Sequence, residues 1–341
     1  MAAAGWVGAI SLAILSSSGP ELRPIPARFE FRQTHMGSEF KIVLYTTGEA
    51  QARLASDAGF ARIAALDKAL SDYDPESELM RLCDKAGGPP VKASDDLFRC
   101  LDQAQAMSVR SDGAFDATIA PVVRLWRRAR RTRVLPEAET LAKARALVGY
   151  RAMDLDPKAR TVRLRKPGMK LDLGGIAKGF ACDEAMAALK KAGITCALVA
   201  GAGDIVVSDP PPDERGWRIG VADPEGDPDR PTRFLVLKNK AISTSGDAER
   251  FVEIGGTRYS HIVDPRTGLG VVARASVTIV ASDGTTADAL ATAAYVLGHE
   301  RGIALIEKIG ASGLYVQAGP KPKTYATRHW ADLPGEIPAR K

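Results

Sequence analysis

The stretch Asp283-Gly-Thr-Thr-Ala-Asp288-Ala-Leu-Ala-Thr292-Ala-Ala-Tyr-Val-Leu-Gly298 reads as a turn followed by a capped helix. Thr285 or Thr286 can accept the orphan N–H groups of the first turn, and Gly298 is a natural stop. Ala287, Leu290, Ala294 and Leu297 recur at three- and four-residue spacing and predict the core stripe. Asp288 and Thr292 lie on its flank at i and i+4, so they share a face. The run after Thr286 is otherwise almost entirely apolar, which puts this pair at the margin of a packed core with no Lys or Arg on that face. A carboxylate so placed needs a partner. One charged and one neutral oxygen are what Mg2+ takes from a protein when a phosphate supplies other ligands. The same residues have a plainer use: Asp288 complements the helix dipole and Thr292 bonds back to its own backbone. The helix alone leaves both uses open.

Upstream, Met169-Lys-Leu-Asp-Leu173 reads as a strand that runs into Gly174-Gly-Ile-Ala-Lys-Gly-Phe180, and a helix is expected over Ile176–Ala192, closed by Lys190, Lys191 and Gly193. Glycines at a helix entrance let the backbone approach an anion, and Lys178 in the first turn can reach a phosphate. The spacing is neither a Walker loop nor the GxGxxG of dinucleotide folds, so a tight strand-to-helix turn is an equal reading.

Around these two places the chain alternates helices and short strands. Strands are expected at Phe29–Thr34 and Phe40–Tyr45 around the turn Met36-Gly-Ser, then helices at about 50–70 and 95–111. An Arg-rich helix and a helix at Pro136–Leu147 follow, with short strands near Met153 and Val162. After the glycine junction come strands at Cys196–Ala200, Asp204–Val207, Trp217–Val221, Phe234–Leu237, Ala241–Thr244, Thr257–Val263, Ser276–Val280 and Gly313–Gln317, with a helix near Arg301–Ile309. Residues 1–27 are a candidate signal and Pro-rich linker, 28–320 the folded domain, and 321–341 a basic tail expected to fray.

Apolar content of 45% and charged content of 26% over 341 residues are those of a globular chain with ample core. The six Arg within Arg124–Arg133 equal the whole net charge of +6, and they read as a solvated helix face. Only Trp126 interleaves them, so no nucleic-acid partner is expected. The four Cys show neither CxxC nor zinc spacing. Ala2–Ser18 resembles the apolar core and cleavage zone of a secretory leader, although no Lys or Arg precedes it. Export to the periplasmic or cell-envelope side is therefore expected, a cytoplasmic location being the alternative, with at most peripheral membrane association.

Several stretches taken together resemble the ApbE family of flavin transferases: Met36-Gly-Ser, Leu70-Ser-Asp-Tyr-Asp-Pro-Glu-Ser77, Asp112-Gly-Ala-Phe-Asp116 and Leu171-Asp-Leu-Gly-Gly-Ile-Ala-Lys-Gly179. They continue in the family's order with Gly203-Asp204, Ser243-Thr-Ser-Gly246, Ser260-His-Ile-Val-Asp-Pro-Arg-Thr-Gly268 and Ala287-Asp-Ala-Leu-Ala-Thr292. Two places depart from the pattern. Ala200-Gly-Ala-Gly-Asp204 stands for Asn-x-Gly-Gly-Asp, and Cys83 stands where Asn is frequent.

The resemblance implies an α+β fold, mostly antiparallel, with FAD in a cleft and Mg2+ at its pyrophosphate. It implies transfer of FMN from FAD to a Ser or Thr hydroxyl of an acceptor flavoprotein, with release of AMP. Asp288, Thr292 and the Gly175 carbonyl would hold the metal. Met36, Tyr73, Ala114, Phe115, Asp116, Asp172, Lys178 and His261 would line the flavin nucleotide site. Within that scheme Lys178 can neutralise a phosphate oxygen and His261 can take the acceptor's proton. Two other outcomes fit the same residues: hydrolysis of FAD to FMN and AMP, and FAD binding without catalysis.

Overall fold

The computed structural model describes residues 25–221, 231, 233–246, 250–335 and 337–338. The expected leader at 2–18 lies outside the described residues. Among those described, no helix is long and apolar enough to cross a membrane.

The chain opens with the hairpin β1 (Ala27–His35) and β2 (Ser38–Thr46), then α1 (Glu49–Leu70), α2 (Glu78–Cys83), β3 (Val91–Lys92) and α3 (Asp95–Arg110). Next come α4 (Ala120–Thr132), α5 (Ala138–Ala146), β4 (Met153–Asp156), β5 (Thr161–Leu164) and α6 (Ala177–Lys191). The strands β6 (Ala197–Gly201), β7 (Asp204–Val207), β8 (Trp217–Val221), β9 (Arg233–Leu237), β10 (Lys240–Gly246), β11 (Phe251–Ile254), β12 (Thr257–Ser260) and β13 (Ala275–Ala281) follow. The long helix α7 (Gly284–Ile309), β14 (Ser312–Gln317), β15 (Lys323–Ala326) and β16 (Ile337–Pro338) complete it.

The main sheet has eight strands in the order β1-β2-β6-β7-β10-β13-β14-β15, and every pairing is antiparallel. The expected α+β class is therefore what the chain adopts. Alternation along β2 sends Phe40, Ile42 and Leu44 to one face, where α1, α3, α6 and α7 pack. It sends Val43 to the other face, into a second core with Trp217, Ile219, Leu235 and Trp330. All seven residues of β13 are buried because both of its faces are covered.

Helix α7 is buried nearly all round as far as Val296, so the expected stripe was too narrow. Gly298 interrupts it with φ 76° and ψ 175°, and a second helical stretch continues to Ile309. Its N-cap is Asp283, whose Oδ1 accepts from Thr286 N–H at 2.7 Å, not Thr285 or Thr286. Asp183 on α6 accepts from Gly284 N–H (2.7 Å), Thr285 N–H (2.8 Å) and the Thr285 hydroxyl (2.6 Å). A second carboxylate thus comes from another helix to join the Asp283 cap, which spacing along one helix cannot reveal.

Helices α6 and α7 cross at a pair of glycines. A Cβ on Gly179 would stand 2.1 Å from the Gly284 carbonyl oxygen, and one on Gly284 would stand 2.7 Å from that of Gly179. Only glycine permits this approach.

Two expectations need correction. Met169–Leu173 is extended but unpaired, because its neighbours are the Cys83 thiol (Leu171 N–H to Sγ, 3.2 Å) and the Ala117 carbonyl (Asp172 N–H, 2.8 Å), not a sheet edge. The basic tail does not fray as far as residue 335: β15 pairs with β14 and Trp330 is buried in the second core.

Candidate active site

The α6–α7 crossing places the acidic and hydroxyl side chains against the glycine turn. Asp288 is 3% exposed, and its Oδ2 accepts from Gly179 N–H at 3.1 Å. Carboxylates are therefore exchanged across the crossing, Asp183 of α6 holding the first amides of α7 and Asp288 of α7 holding those of α6. Lys178 Nζ lies 3.8 Å from Asp288 Oδ2 and 3.4 Å from Asp204 Oδ2, and it donates to the Gly174 carbonyl at 3.1 Å. Asp204 is buried at the start of β7, and its Oδ1 accepts from the Ser243 hydroxyl at 2.6 Å.

This cluster holds two carboxylates against one ammonium. Burial, followed by the Asp204 charge, pushes the Asp288 carboxyl up to about 7, with Lys178 opposing. Burial works against the Lys178 ammonium, but Asp288 and Asp204 outweigh it and raise its pKa above the ordinary lysine value.

Thr292, one turn along α7, faces the same junction. A Cβ on Gly175 would stand 3.0 Å from Thr292 Oγ1 and 3.3 Å from Phe115 Cε2, so Gly175 backbone, Thr292 and Phe115 meet at one point. Among the described residues Thr292 Oγ1 has one hydrogen-bond partner, Ser245 Oγ at 3.4 Å. The plainer use of this residue, a bond back to its own helix, is not made. A buried, under-compensated carboxylate, a hydroxyl and a glycine backbone at one point are the kinds of donor that suit a hard divalent cation.

Asp172 anchors the turn. Its Oδ1 accepts from Gly174 N–H at 2.8 Å, and its Oδ2 accepts from Arg127 Nη2 at 2.9 Å. Arg127 Nη1 lies 2.6 Å from Asp72 Oδ2, and the guanidinium carbon stands 4.2 Å from the Tyr73 ring centroid. Arg127 thus joins the Tyr73 loop to the glycine turn. Burial, then the Asp72 charge, raises the Asp172 pKa, and Arg127 opposes this. Reading the Arg run as a solvated face missed Arg127. The phase of α4 is set by Trp126, whose Nε1 donates to the Gly268 carbonyl at 2.8 Å and whose ring lies 5.1 Å from that of Tyr259. That docking turns the next residue inward.

His261 follows β12. Its Nδ1 lies 3.0 Å from the Arg250 carbonyl oxygen, which can only accept, so Nδ1 carries the hydrogen and Nε2 keeps its lone pair. Burial lowers its pKa to about 4, and the charges of Arg130, Arg250 and Lys178 add to the effect. That shift favours the neutral imidazole near pH 7.

The other candidates are placed differently. Tyr73 is 76% exposed, held only on its Arg127 side. Ala114 and Phe115 are buried beside the junction. The Asp116 carboxylate is turned inward: Oδ1 accepts from the Thr118 backbone and hydroxyl (2.8 and 2.7 Å) and Oδ2 from Tyr150 N–H (2.8 Å). Met36 sits in the β1–β2 turn with φ 50°, its N–H bonded to Asp67 Oδ2 at 2.7 Å. No hydrogen bond or ion pair among the described residues joins Met36 to the α6–α7 crossing. Ala202, where glycine was expected, takes φ 54° in the β6–β7 turn that delivers Asp204. Asp204 itself was legible only as part of that turn.

Comparison with known proteins gives a consistent answer. The ApbE family model matches residues 36–315. The FAD:protein FMN transferase of Treponema pallidum (strain Nichols) is 32% identical over 282 residues, 78% of this chain and 78% of that protein. That of Klebsiella pneumoniae (strain 342) is 32% identical over 281 residues, 82% and 86% of the two chains. Among solved structures, the flavin transferase ApbE of Vibrio cholerae superposes with a TM-score of 0.82 at 28% identity, covering 90% of this chain and 99% of that one. The ApbE protein of Thermotoga maritima gives a TM-score of 0.82 at 30% identity, with 91% and 100% covered. Sequence, fold and the ordered motifs agree, and this chain belongs to the ApbE family.

Proposed function

We propose that this protein transfers FMN from FAD to a Ser or Thr hydroxyl of an acceptor flavoprotein, with Mg2+ at the diphosphate and AMP as the leaving group. The observation that carries the reading is the buried, under-compensated Asp288 carboxylate beside the Thr292 hydroxyl at the Gly174–Gly175 turn. Asp288, Thr292 and the Gly175 carbonyl would hold the cation. When bound it supplies positive charge to the diphosphate, where charge neutralisation provides most of the rate.

The chain's own groups do the rest. Lys178 is held charged by Asp204 and Asp288 and can neutralise a non-bridging phosphate oxygen. His261 presents Nε2 as a base. The acceptor oxygen attacks the FMN phosphorus as its proton passes to His261 Nε2, the P–O bond to the AMP phosphate breaks, and AMP leaves with the bridging oxygen. Burial disfavours the imidazolium, so His261 returns the proton to solvent after each turnover. Arg127 fixes Asp172 and, through it, the turn that would carry the Gly175 ligand.

The test is incubation with FAD, Mg2+ and a Ser/Thr-containing acceptor, read as flavin fluorescence covalently attached to the acceptor. Free FMN without label would favour FAD hydrolysis, and neither product would favour simple FAD binding. The decisive variant is Asp288→Asn, which keeps an oxygen for the Gly179 N–H but removes the charge. It should lose Mg2+-dependent activity by at least about 100-fold while folding normally. Full activity in that variant refutes the metal assignment.

A further inference from the structure

A hydroxyl that gives a lone pair to a cation must place its hydrogen on some other acceptor. In a helix the usual acceptor for Thr is the carbonyl four residues back, here that of Asp288. Thr292 makes no such bond, and its one partner among the described residues is Ser245 Oγ, at 3.4 Å.

Ser245 lies on β10, whose alternation sends Ala241, Ser243 and Ser245 to the face on which α6 and α7 pack, while Ile242 joins the second core. Ser243 on that face already donates to Asp204 Oδ1 at 2.6 Å. One strand therefore stands behind both polar groups of the site. We propose that Ser245 is a positioning residue that accepts the Thr292 hydroxyl hydrogen, aims the Thr292 lone pair at a divalent cation and so sets cation affinity. The role rests on the function proposed above. Ser245 acts through Thr292, and loss of such an outer hydrogen-bond partner weakens metal binding by roughly 10- to 100-fold.

The test measures cation uptake directly. Free Mn2+ is followed by electron paramagnetic resonance while it is titrated into the full protein with ADP, a diphosphate that carries no FMN to transfer. Ser245→Ala should weaken Mn2+ binding by about 10-fold, and in the transfer assay the half-saturating Mg2+ concentration should rise more than kcat falls. Ser245→Thr keeps the hydroxyl in a strand that accepts a β-branched side chain, and it should restore most of the affinity. Unchanged binding in Ser245→Ala, or a Ser245→Thr variant as weak as Ser245→Ala, overturns the role of Ser245 and leaves the proposed function standing. A wild-type protein that takes up no Mn2+ with ADP overturns both.

Discussion

Replacing Arg127 by Met should expose how the Tyr73 loop and the Gly174–Gly175 turn are tied together. The substitution keeps much of the side chain's bulk and removes the charge between Asp72 and Asp172. Both carboxylate side chains are only 10% exposed and Arg127 is 23% exposed. Removing one partner of a buried pair costs about 3–5 kcal/mol. The edge of solvent at Arg127, and the freedom of one carboxyl to protonate, reduce this to about 2–3 kcal/mol near neutral pH. For a chain of this size that lowers Tm by roughly 5–10 °C. The sign with pH is diagnostic. Burial and Asp72 raise the folded-state pKa of Asp172 even with Arg127 present, and without it the rise is larger. A carboxyl whose folded pKa exceeds its unfolded one penalises the fold above that pKa, and the penalty fades as pH falls. The gap in Tm between wild type and Arg127→Met should therefore be wider at pH 8 than at pH 5, measured by calorimetry at both. Adding Asp72→Asn removes one of the two like charges and should recover about half of the loss. The KM for FAD should rise, because Tyr73 and the Gly174 turn lose their common support. If Arg127→Met melts with wild type at both pH values, or if Asp72→Asn worsens it, the bridge carries no energy and the reasoning fails.

Three further outcomes are expected. His261→Gln should lower kcat by about 10²- to 10⁴-fold with FAD binding retained. In the wild type, with saturating Mg2+ holding Asp288 ionised, the limb set by the base should fall near pH 4, because burial has lowered the His261 pKa to about 4; a limb near pH 6.5 that persists in Asp288→Asn and is lost in His261→Gln would contradict that shift. Gly179→Ala forces a methyl to within 2.1 Å of the Gly284 carbonyl, so α6 and α7 must separate at an estimated 3 kcal/mol or more, read as a lower urea midpoint; a midpoint equal to wild type would show that the crossing yields without cost.

What the sequence disclosed follows from what one-dimensional spacing can carry. Asp288 and Thr292 were visible because a helix repeats on a fixed period and two polar residues interrupt an apolar run. The strand faces were visible because alternation has a period of two. Arg127 was invisible because its inward orientation is decided by Trp126 docking on Gly268 and Tyr259, contacts far along the chain. The Asp183 bonds to the first amides of α7 were invisible for the same reason. Met169–Leu173 has a strand's composition, yet its backbone finds partners in Cys83 and Ala117, and composition does not name partners. The Asp116 carboxylate belongs here too: the chain shows an acid beside Phe115, and only the fold shows that both oxygens are spent on Thr118 and Tyr150.

The crossing of α6 and α7 explains why folding and chemistry share residues at this site. Each helix begins with unsatisfied amides and a partial positive charge, and each has a carboxylate of the other bonded to its first turn, in α7 beside the Asp283 cap. Asp183 is fully used in that exchange, since one oxygen holds Gly284 and the other holds Thr285. Asp288 Oδ2 accepts from Gly179 N–H, and the Lys178 amide adds to the hold, so the fold fixes the carboxylate from the α6 side. Its burial is tolerated because the α6 amides and Lys178 lie beside it, and its remaining charge is what a cation would meet. The glycines that let the helices touch bring the acid, the hydroxyl and the turn to one place, and donors fixed in this way would need little reorganisation on binding a cation. The same packing that closes the core therefore orients the donors.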